Sequence, residues 1–362
     1  MELAAIQKEI KNWKSIYNSE VSTIWRSPSN IALLKYWGKR DVQLPANPSL
    51  SFCLTKAHTI TKLIASYSKV NPGIIGINKN PEHPFLIKIN TYWQTVIKEI
   101  PLFKDYNIEI ETQNTFPHSA GIASSASGFS ALAIAIVDLA QQLSGNQLSE
   151  DIFLKYTSSL SRMGSGSACR SIYGGFSVWG ESEYWKDSSD YYALDINEYI
   201  HSDFNHLQDA ILIVSAKEKT LSSSAGHALM KEHPYANGRL NQAKQHMELF
   251  RKALKEGDLE LLSMLTENEA LSLHALIMSS GSTDILLEPE SLELIQRIRK
   301  ARQKGLAVFF TIDAGPNIHL LYPESAKENV NKFILNELKD ICPANRIIFD
   351  ECGGAAVKMN EI

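Results

Sequence analysis

The sequence is poor in cysteine, has no long apolar run and carries no excess of one charge. Cys53, Cys169, Cys342 and Cys352 are widely spaced in 362 residues, with no CxxC pair. That excludes a disulfide scaffold or a zinc ribbon and fits reduced thiols in a cytoplasm. The richest apolar stretch, Ala131 to Ala140, is interrupted by Asp138 and is far shorter than the roughly 20 residues of a bilayer span, so no transmembrane helix and no membrane partner are expected. The N-terminal MELAAIQKEIKNWK mixes acids and bases and lacks the uncharged core of a signal peptide, so export is not expected. Thirty-six Lys and Arg against forty Asp and Glu leave a net charge of −4. This balance argues against a nucleic-acid partner and makes any anion site local. A Walker A loop, a Rossmann fingerprint, HExxH and a serine nucleophile elbow are all missing, which weakens hydrolase, dehydrogenase and metalloprotease readings. His118, His201, His206, His227, His274 and His319 lie in scattered segments without metal-ligand spacing and read as structural or surface groups.

What is present is a globular chain: 44% hydrophobic and 21% charged residues are enough to build packed cores. Its length suits about two domains of roughly 150 residues each. Leu3, Ile6, Ile10, Trp13 and Tyr17 recur at helical spacing, so residues 1–20 read as an amphipathic helix. Thr23 to about Ala65 reads as strands and loops, residues 71–89 as two strands around a polar turn, and a helix is expected from about Thr91. NIEIETQN is another strand. SAGIASSASG, residues 119–128, is a loop of small residues feeding a buried helix, FSALAIAIVDLAQQL. A second such loop, GSGSACRS, precedes the strand IYGGFSVW. The polar stretch 181–206 marks a boundary, giving one domain over residues 1–206 and another over 207–362. The second mixes helices over 237–279 and 291–305 with the strands AILIVSA, LAVFFTI, IHLLY and one near Arg346 to Phe349. Without strict βαβ alternation the fold class is α+β.

Four segments carry candidate chemistry. Backbone amides freed by small residues at a helix start can wrap a phosphate, and Ser124, Ser125 and Ser127 add hydroxyls; tight helix packing is the alternative. SNIALLKYWGKRD gathers Lys35, Lys39 and Arg40 beside Tyr36 and Trp37, which suits an anionic ligand or a solvated basic edge. Arg170 in GSGSACRS, flanked by Ser165 and Ser167, can grip a carboxylate or phosphate bidentately, or pair with a structural acid. Asp313 ends LAVFFTI and opens the turn DAGP, where it can be aimed rigidly at a ligand or bond to its own backbone.

In order, SNIALLKYWGKRD, FPHSAGIASSASG, SRMGSGSACRSIYGGF and FTIDAGPNIHLL resemble the signature regions of the mevalonate diphosphate decarboxylase family, a branch of the GHMP small-molecule kinase superfamily, over residues 29 to 320. The resemblance implies an N-terminal domain like ribosomal protein S5 domain 2 and a ferredoxin-like C-terminal domain, with the active site in the cleft between them. It implies ATP and Mg²⁺, the substrate mevalonate 5-diphosphate, phosphorylation of its tertiary 3-hydroxyl, then loss of phosphate and CO₂ to give isopentenyl diphosphate. By the same resemblance Asp313 orients or deprotonates the hydroxyl, Lys39 lies near Asp313 and the γ-phosphoryl, and Arg170 holds the substrate carboxylate. Tyr36, Asn30, Ser165 and Ser167 join Lys39 and Arg170 in binding substrate. Ser119, Ala120, Gly121, Ala123, Ser124 and Ser125 cradle ATP, with Ser222 and Ser223 closing over it. No protein ligand for the metal is identifiable, and the family habit is a homodimer.

Overall fold

Val21–Leu34 and Ser49–Tyr67 form the longest strands, β1 and β2, and their antiparallel pairing is the spine of the first sheet. The computed structural model describes residues 2–361 apart from 17–18, 42, 69, 71, 118–120, 216–222 and 283. Pro28 has no N–H for the ladder, and the register of β1 against β2 shifts between Pro28 and Asn30. β3 (Gly73–Ile77) runs parallel to β4 (Tyr106–Asn114), which pairs with β2. β5 (Phe176–Trp179) pairs with the start of β2, and β6 (Ala193–Asp195) with β5. Four helices supply the core beside this sheet: α1 (Leu3–Ile10), α2 (Leu86–Glu99), α3 (Ser124–Ser144) and α4 (Glu150–Gly164).

The second half of the chain contributes β7 (Gln208–Leu212), α5 (Ser223–Ala228), α6 (Ala236–Glu256), α7 (Leu259–Met278), α8 (Pro289–Gln303), β8 (Phe309–Thr311), β9 (Ile318–Tyr322), α9 (Lys327–Phe333) and β10 (Ile347–Glu351). Its antiparallel sheet has the order β10-β7-β9-β8. Alternation along these strands separates two cores. Ala210, Leu212, Phe310 and Leu320 pack with residues of α8 and α9. Ile211, Phe309 and Leu321 join a cluster shared with Ile31, Phe52 and Phe250, so β1, β2 and α6 are packed into the same core as the second sheet. The α+β class is therefore observed.

Several local expectations are corrected. The first helix ends at Ile10 instead of continuing to residue 20, because Asn12 turns its amide back onto the Lys8 carbonyl; Trp13 is still buried. Among the described residues, the range 71–89 holds one strand rather than two. Asn78 and Lys79 adopt positive φ after β3, and the apolar run that follows opens α2 at Leu86, five residues before the expected start. A short apolar run suits either element by periodicity alone. Helix α3 is long and apolar enough to cross a membrane, yet about nine-tenths of it is buried inside the fold, and Asp138 is satisfied there by Trp25, Gln142 and Lys358. Finally, β11 (Val357–Met359) pairs with β1, so the end of the 207–362 segment returns to the first sheet. Val-Lys-Met alternates apolar and charged, but three residues, two of them exposed, are too few to announce a strand.

Candidate active site

β8 ends at Thr311, Ile312 is fully buried, and the next side chain, Asp313, emerges 24% exposed. Its Oδ1 accepts a hydrogen bond from Lys35 Nζ at 2.8 Å. Lys35 is the first residue beyond β1, and its side chain is only 3% exposed. The lysine expected beside Asp313 was Lys39; the observed partner is Lys35, from the same cationic motif. The turn explains the difference. Gly38 takes φ +93°, so Lys39 lies past a reversal and bridges to Pro45, while Arg40 continues outward to pair with Asp190. Lys39 remains half-buried, and burial together with Lys88 holds its ammonium below the ordinary lysine value.

Arg170 lies in a 3₁₀ turn, Gly166–Ser171, and is 2% exposed. Its Nε donates to Asn30 Oδ1 at 3.3 Å and its Nη1 to Ser49 Oγ. Asn30 in turn donates to the Ser167 carbonyl at 3.0 Å and to Ser171 Oγ at 2.7 Å, tying the turn to β1. Among the described residues no carboxylate forms an ion pair with this guanidinium. Burial lowers its pKa, and Asp313 is close enough to oppose that electrostatically. A buried cation held by neutral groups is a prepared anion site. Ser165 and Ser167 are half-buried, and Ser165 Oγ sits 3.4 Å from Ser125 Oγ at the start of α3. Two of the predicted serine loops are thereby in contact.

The Tyr36 hydroxyl is buried without a hydrogen-bond partner among the described residues. Its ring lies 4.6 Å from that of Trp179 and 4.2 Å from that of His227. The sequence marks His227 only as a histidine without metal-ligand spacing, although it follows Ser222 and Ser223 closely. Its Nδ1 accepts from the Gly38 amide at 3.0 Å, so the neutral ring carries its proton on Nε2. Burial, then Lys39 and Arg170, push this imidazole down to about 3. His319, also set aside as structural, is buried in a pair with Asp209 at 2.7 Å.

A cavity of about 310 Å³ is lined by Ile77, Lys88, Thr112, Ser124, Ser125 and Phe129 among others, and Ser125 joins it to the Ser165 loop. Lys88 Nζ stands 4.8 Å above the Phe129 ring, and burial lowers its pKa. Gly121 at φ +84° and Ala123 at φ +44° turn the chain into α3, whose first residues face this cavity. Of the remaining predicted nucleotide contacts, Ser119, Ala120 and Ser222 lie outside the described residues, as does the side chain of Ser223.

Residues 27–190 match a family model of the diphosphomevalonate decarboxylase-like N-terminal domain, and residues 210–357 match the mevalonate 5-diphosphate decarboxylase C-terminal domain. The diphosphomevalonate decarboxylase of Candida albicans is 30% identical over 318 residues, covering 84% of this chain and 85% of that protein. The Saccharomyces cerevisiae enzyme is 30% identical over 341 residues, 88% of this chain and 81% of its own. Among solved structures, mevalonate diphosphate decarboxylase from Staphylococcus aureus aligns with a TM-score of 0.80 at 30% identity, over 94% of this chain and 98% of that one. MDDEF in complex with MVAPP, AMPPCP and magnesium gives 0.80 at 29% identity, over 95% and 100%. The chain belongs to the mevalonate diphosphate decarboxylase family.

Proposed function

We propose that this protein converts mevalonate 5-diphosphate and ATP to isopentenyl diphosphate, ADP, phosphate and CO₂. The observation that carries this reading is the pairing of Asp313 with Lys35 within electrostatic reach of Arg170, a buried cation with no carboxylate partner among the described residues. The fold supports a two-domain reading, an N-terminal part like ribosomal protein S5 domain 2 and a ferredoxin-like part from about Leu207, with substrate in the cleft between them. β11 belongs with the first part.

In this reading Arg170 binds the C1 carboxylate, and Asn30 and Ser49 keep its fork oriented. Tyr36, Lys39, Ser165 and Ser167 hold the diphosphate and carboxylate oxygens. Asp313 accepts the proton of the tertiary 3-hydroxyl as its oxygen attacks the γ-phosphorus and the bond to ADP breaks. Lys35 offsets the charge developing there. When the new phosphate leaves C3, the electron pair of the C1–C2 bond becomes the double bond and CO₂ departs. Nucleotide is assigned to the cavity lined by Ser124 and Ser125, at the point where Gly121 and Ala123 turn the chain into α3, and the family resemblance adds Ser119, Ala120, Ser222 and Ser223 to that cradle. Among the described residues no group of three His, Cys, Asp or Glu could hold a metal. The donors thus fit Mg²⁺ carried on the nucleotide phosphates, with serine hydroxyls and water filling its shell. Bound there it would neutralise phosphate charge. A cytoplasmic homodimer without nucleic-acid or membrane partners completes the proposal.

The test is an assay of ADP and CO₂ release with ATP, Mg²⁺ and either mevalonate 5-diphosphate or mevalonate 5-phosphate. Equal amounts of ADP and CO₂ from the diphosphate are expected. ADP without CO₂, or turnover of the monophosphate alone, would refute the assignment.

A further inference from the structure

Both members of the Lys35–Asp313 pair lie just beyond the ends of their strands, where the ladder no longer satisfies the backbone. Buried peptide groups need partners, and a strand end held only by side-chain packing would be a loose mount for a reacting group. Here both mounts are supplied by α7. The Lys35 N–H donates to Glu269 Oε2 at 2.9 Å. The Asp313 carbonyl accepts from His274 Nε2 at 3.1 Å. Glu269 and His274 are five residues apart on one helix, about 7.5 Å along its axis. That helix packs against both β1 and β8.

Glu269 is fully buried, and each carboxylate oxygen has two donors. Oε1 accepts from Arg239 Nη1 at 2.7 Å and from His246 Nδ1 at 2.6 Å; Oε2 accepts from Arg239 Nη2 at 2.6 Å as well as from Lys35. Arg239 Nη2 also donates to the Lys35 carbonyl at 3.2 Å, joined there by Asn47 Nδ2 at 3.0 Å. Both faces of the Lys35 backbone are thereby gripped by one ion cluster. Buried ion pairs seldom stabilise a core better than apolar packing would, so net stability is a poor reason for this arrangement. Geometry is a better one. A fully satisfied carboxylate on a rigid helix can locate a backbone amide to a fraction of an ångström.

We infer that α7 sets the separation of Lys35 and Asp313, with Glu269 and His274 acting as positioning residues through the backbone of each partner. This inference rests on the proposed function of that pair.

The experiment compares wild type, His274→Ala, His274→Gln and Glu269→Gln in full-length protein with ATP, Mg²⁺ and mevalonate 5-diphosphate. Misplacing a reacting group by about 1 Å costs on the order of 10²-fold, so His274→Ala should lower kcat about 10- to 100-fold while both KM values change less than about twofold. His274→Gln keeps a donor at the same reach and should recover kcat to within about threefold of wild type. Glu269→Gln should also lose kcat rather than KM; if it fails to fold, the His274 pair decides. Wild-type kcat in His274→Ala, equal losses in the Ala and Gln variants, or a loss confined to KM would overturn the inference. A crystal structure of His274→Ala supplies a reading independent of turnover. The 2.8 Å Lys35–Asp313 contact should open beyond about 4 Å, and its retention would also overturn the inference. Failure of wild type to release CO₂ would instead strike the proposed function, and the crystallographic distance would still decide the role of α7.

Discussion

Lys35 and Asp313 are 278 positions apart in the chain and 2.8 Å apart in the fold. Each caps a strand of a different sheet, so the contact exists only when the two sheets are packed together. The lysine is nearly inaccessible while the carboxylate is partly open, the arrangement expected if the acid meets the ligand and the cation supports it from behind.

The two lysines of the KYWGK motif should therefore separate by kinetics. Lys35→Met is expected to lower kcat about 10³-fold, the size of loss seen when a preorganised electrostatic donor is removed. Lys39→Met, which leaves the Asp313 contact intact, should raise the KM for mevalonate 5-diphosphate about tenfold with kcat within about threefold. Steady-state rates from a coupled ADP assay check both. The converse pattern, an active Lys35→Met and a dead Lys39→Met, would restore Lys39 as the partner of Asp313.

Arg170 should reveal a conflict between function and stability. Its guanidinium is buried without a carboxylate partner among the described residues, an arrangement that costs free energy until an anion arrives. Ligand-free Arg170→Met is therefore expected to melt no lower than wild type. Mevalonate 5-diphosphate should raise the Tm of wild type, by linkage worth about 2.7 kcal/mol at a hundred times Kd, and leave that of the variant unchanged. Differential scanning fluorimetry with and without substrate makes the comparison. A variant that melts several degrees lower, or that still responds to substrate, contradicts the role given to Arg170.

Much of this site was legible in the sequence because its parts are local. SAGIASSASG and GSGSACRS announced turns of small residues, Arg170 stood out as the charge inside the second of them, and Asp313 as a carboxylate at the end of an apolar strand. What sequence could not supply was the choice among equivalent groups. Lys35, Lys39 and Arg40 are alike on paper; only the reversal at Gly38 sends one inward and another to Asp190. Glu269 and Arg239 sit on helices whose periodicity marks them as ordinary polar positions. Their burial follows from packing against a strand some 200 residues earlier. His227 was missed for the same reason, since its contacts to Tyr36 and Gly38 are entirely tertiary.

The Glu269 cluster also fixes a dependence on pH. Burial alone would raise this carboxyl, but Arg239, His246 and the Lys35 amide outweigh it and hold the group below the ordinary glutamate value. A carboxyl lowered on folding contributes stability that is complete above its unfolded value near 4.5 and is lost as pH falls through the folded value. Glu269→Gln cannot titrate and leaves Arg239 unpaired. The gap in unfolding free energy between wild type and Glu269→Gln should be about 3 kcal/mol above pH 5 and should narrow below pH 4.5. Urea titrations at pH 3.5, 5 and 7 measure it. A gap that is constant, or that widens with acid, rules out the charged cluster.

Gly166 links the GSGSACRS motif to Tyr36 by space rather than by conformation. A Cβ there would lie 2.8 Å from the Trp179 ring and 3.0 Å from the Tyr36 ring and hydroxyl. Gly166→Ala must therefore push Tyr36 away, at an overpacking cost of about 1–3 kcal/mol. The KM for mevalonate 5-diphosphate should rise about tenfold as Tyr36 loses its seat, with the KM for ATP unchanged because neither Tyr36 nor Gly166 lines the nucleotide cavity. Gly238, in the first turn of α6, provides the contrast, since nothing lies within 4 Å of its missing Cβ. There the same substitution should raise stability by up to about 1 kcal/mol through restricted backbone freedom and leave both KM values alone. Equal effects at the two glycines would mean that the contact with Tyr36 has no bearing on substrate binding.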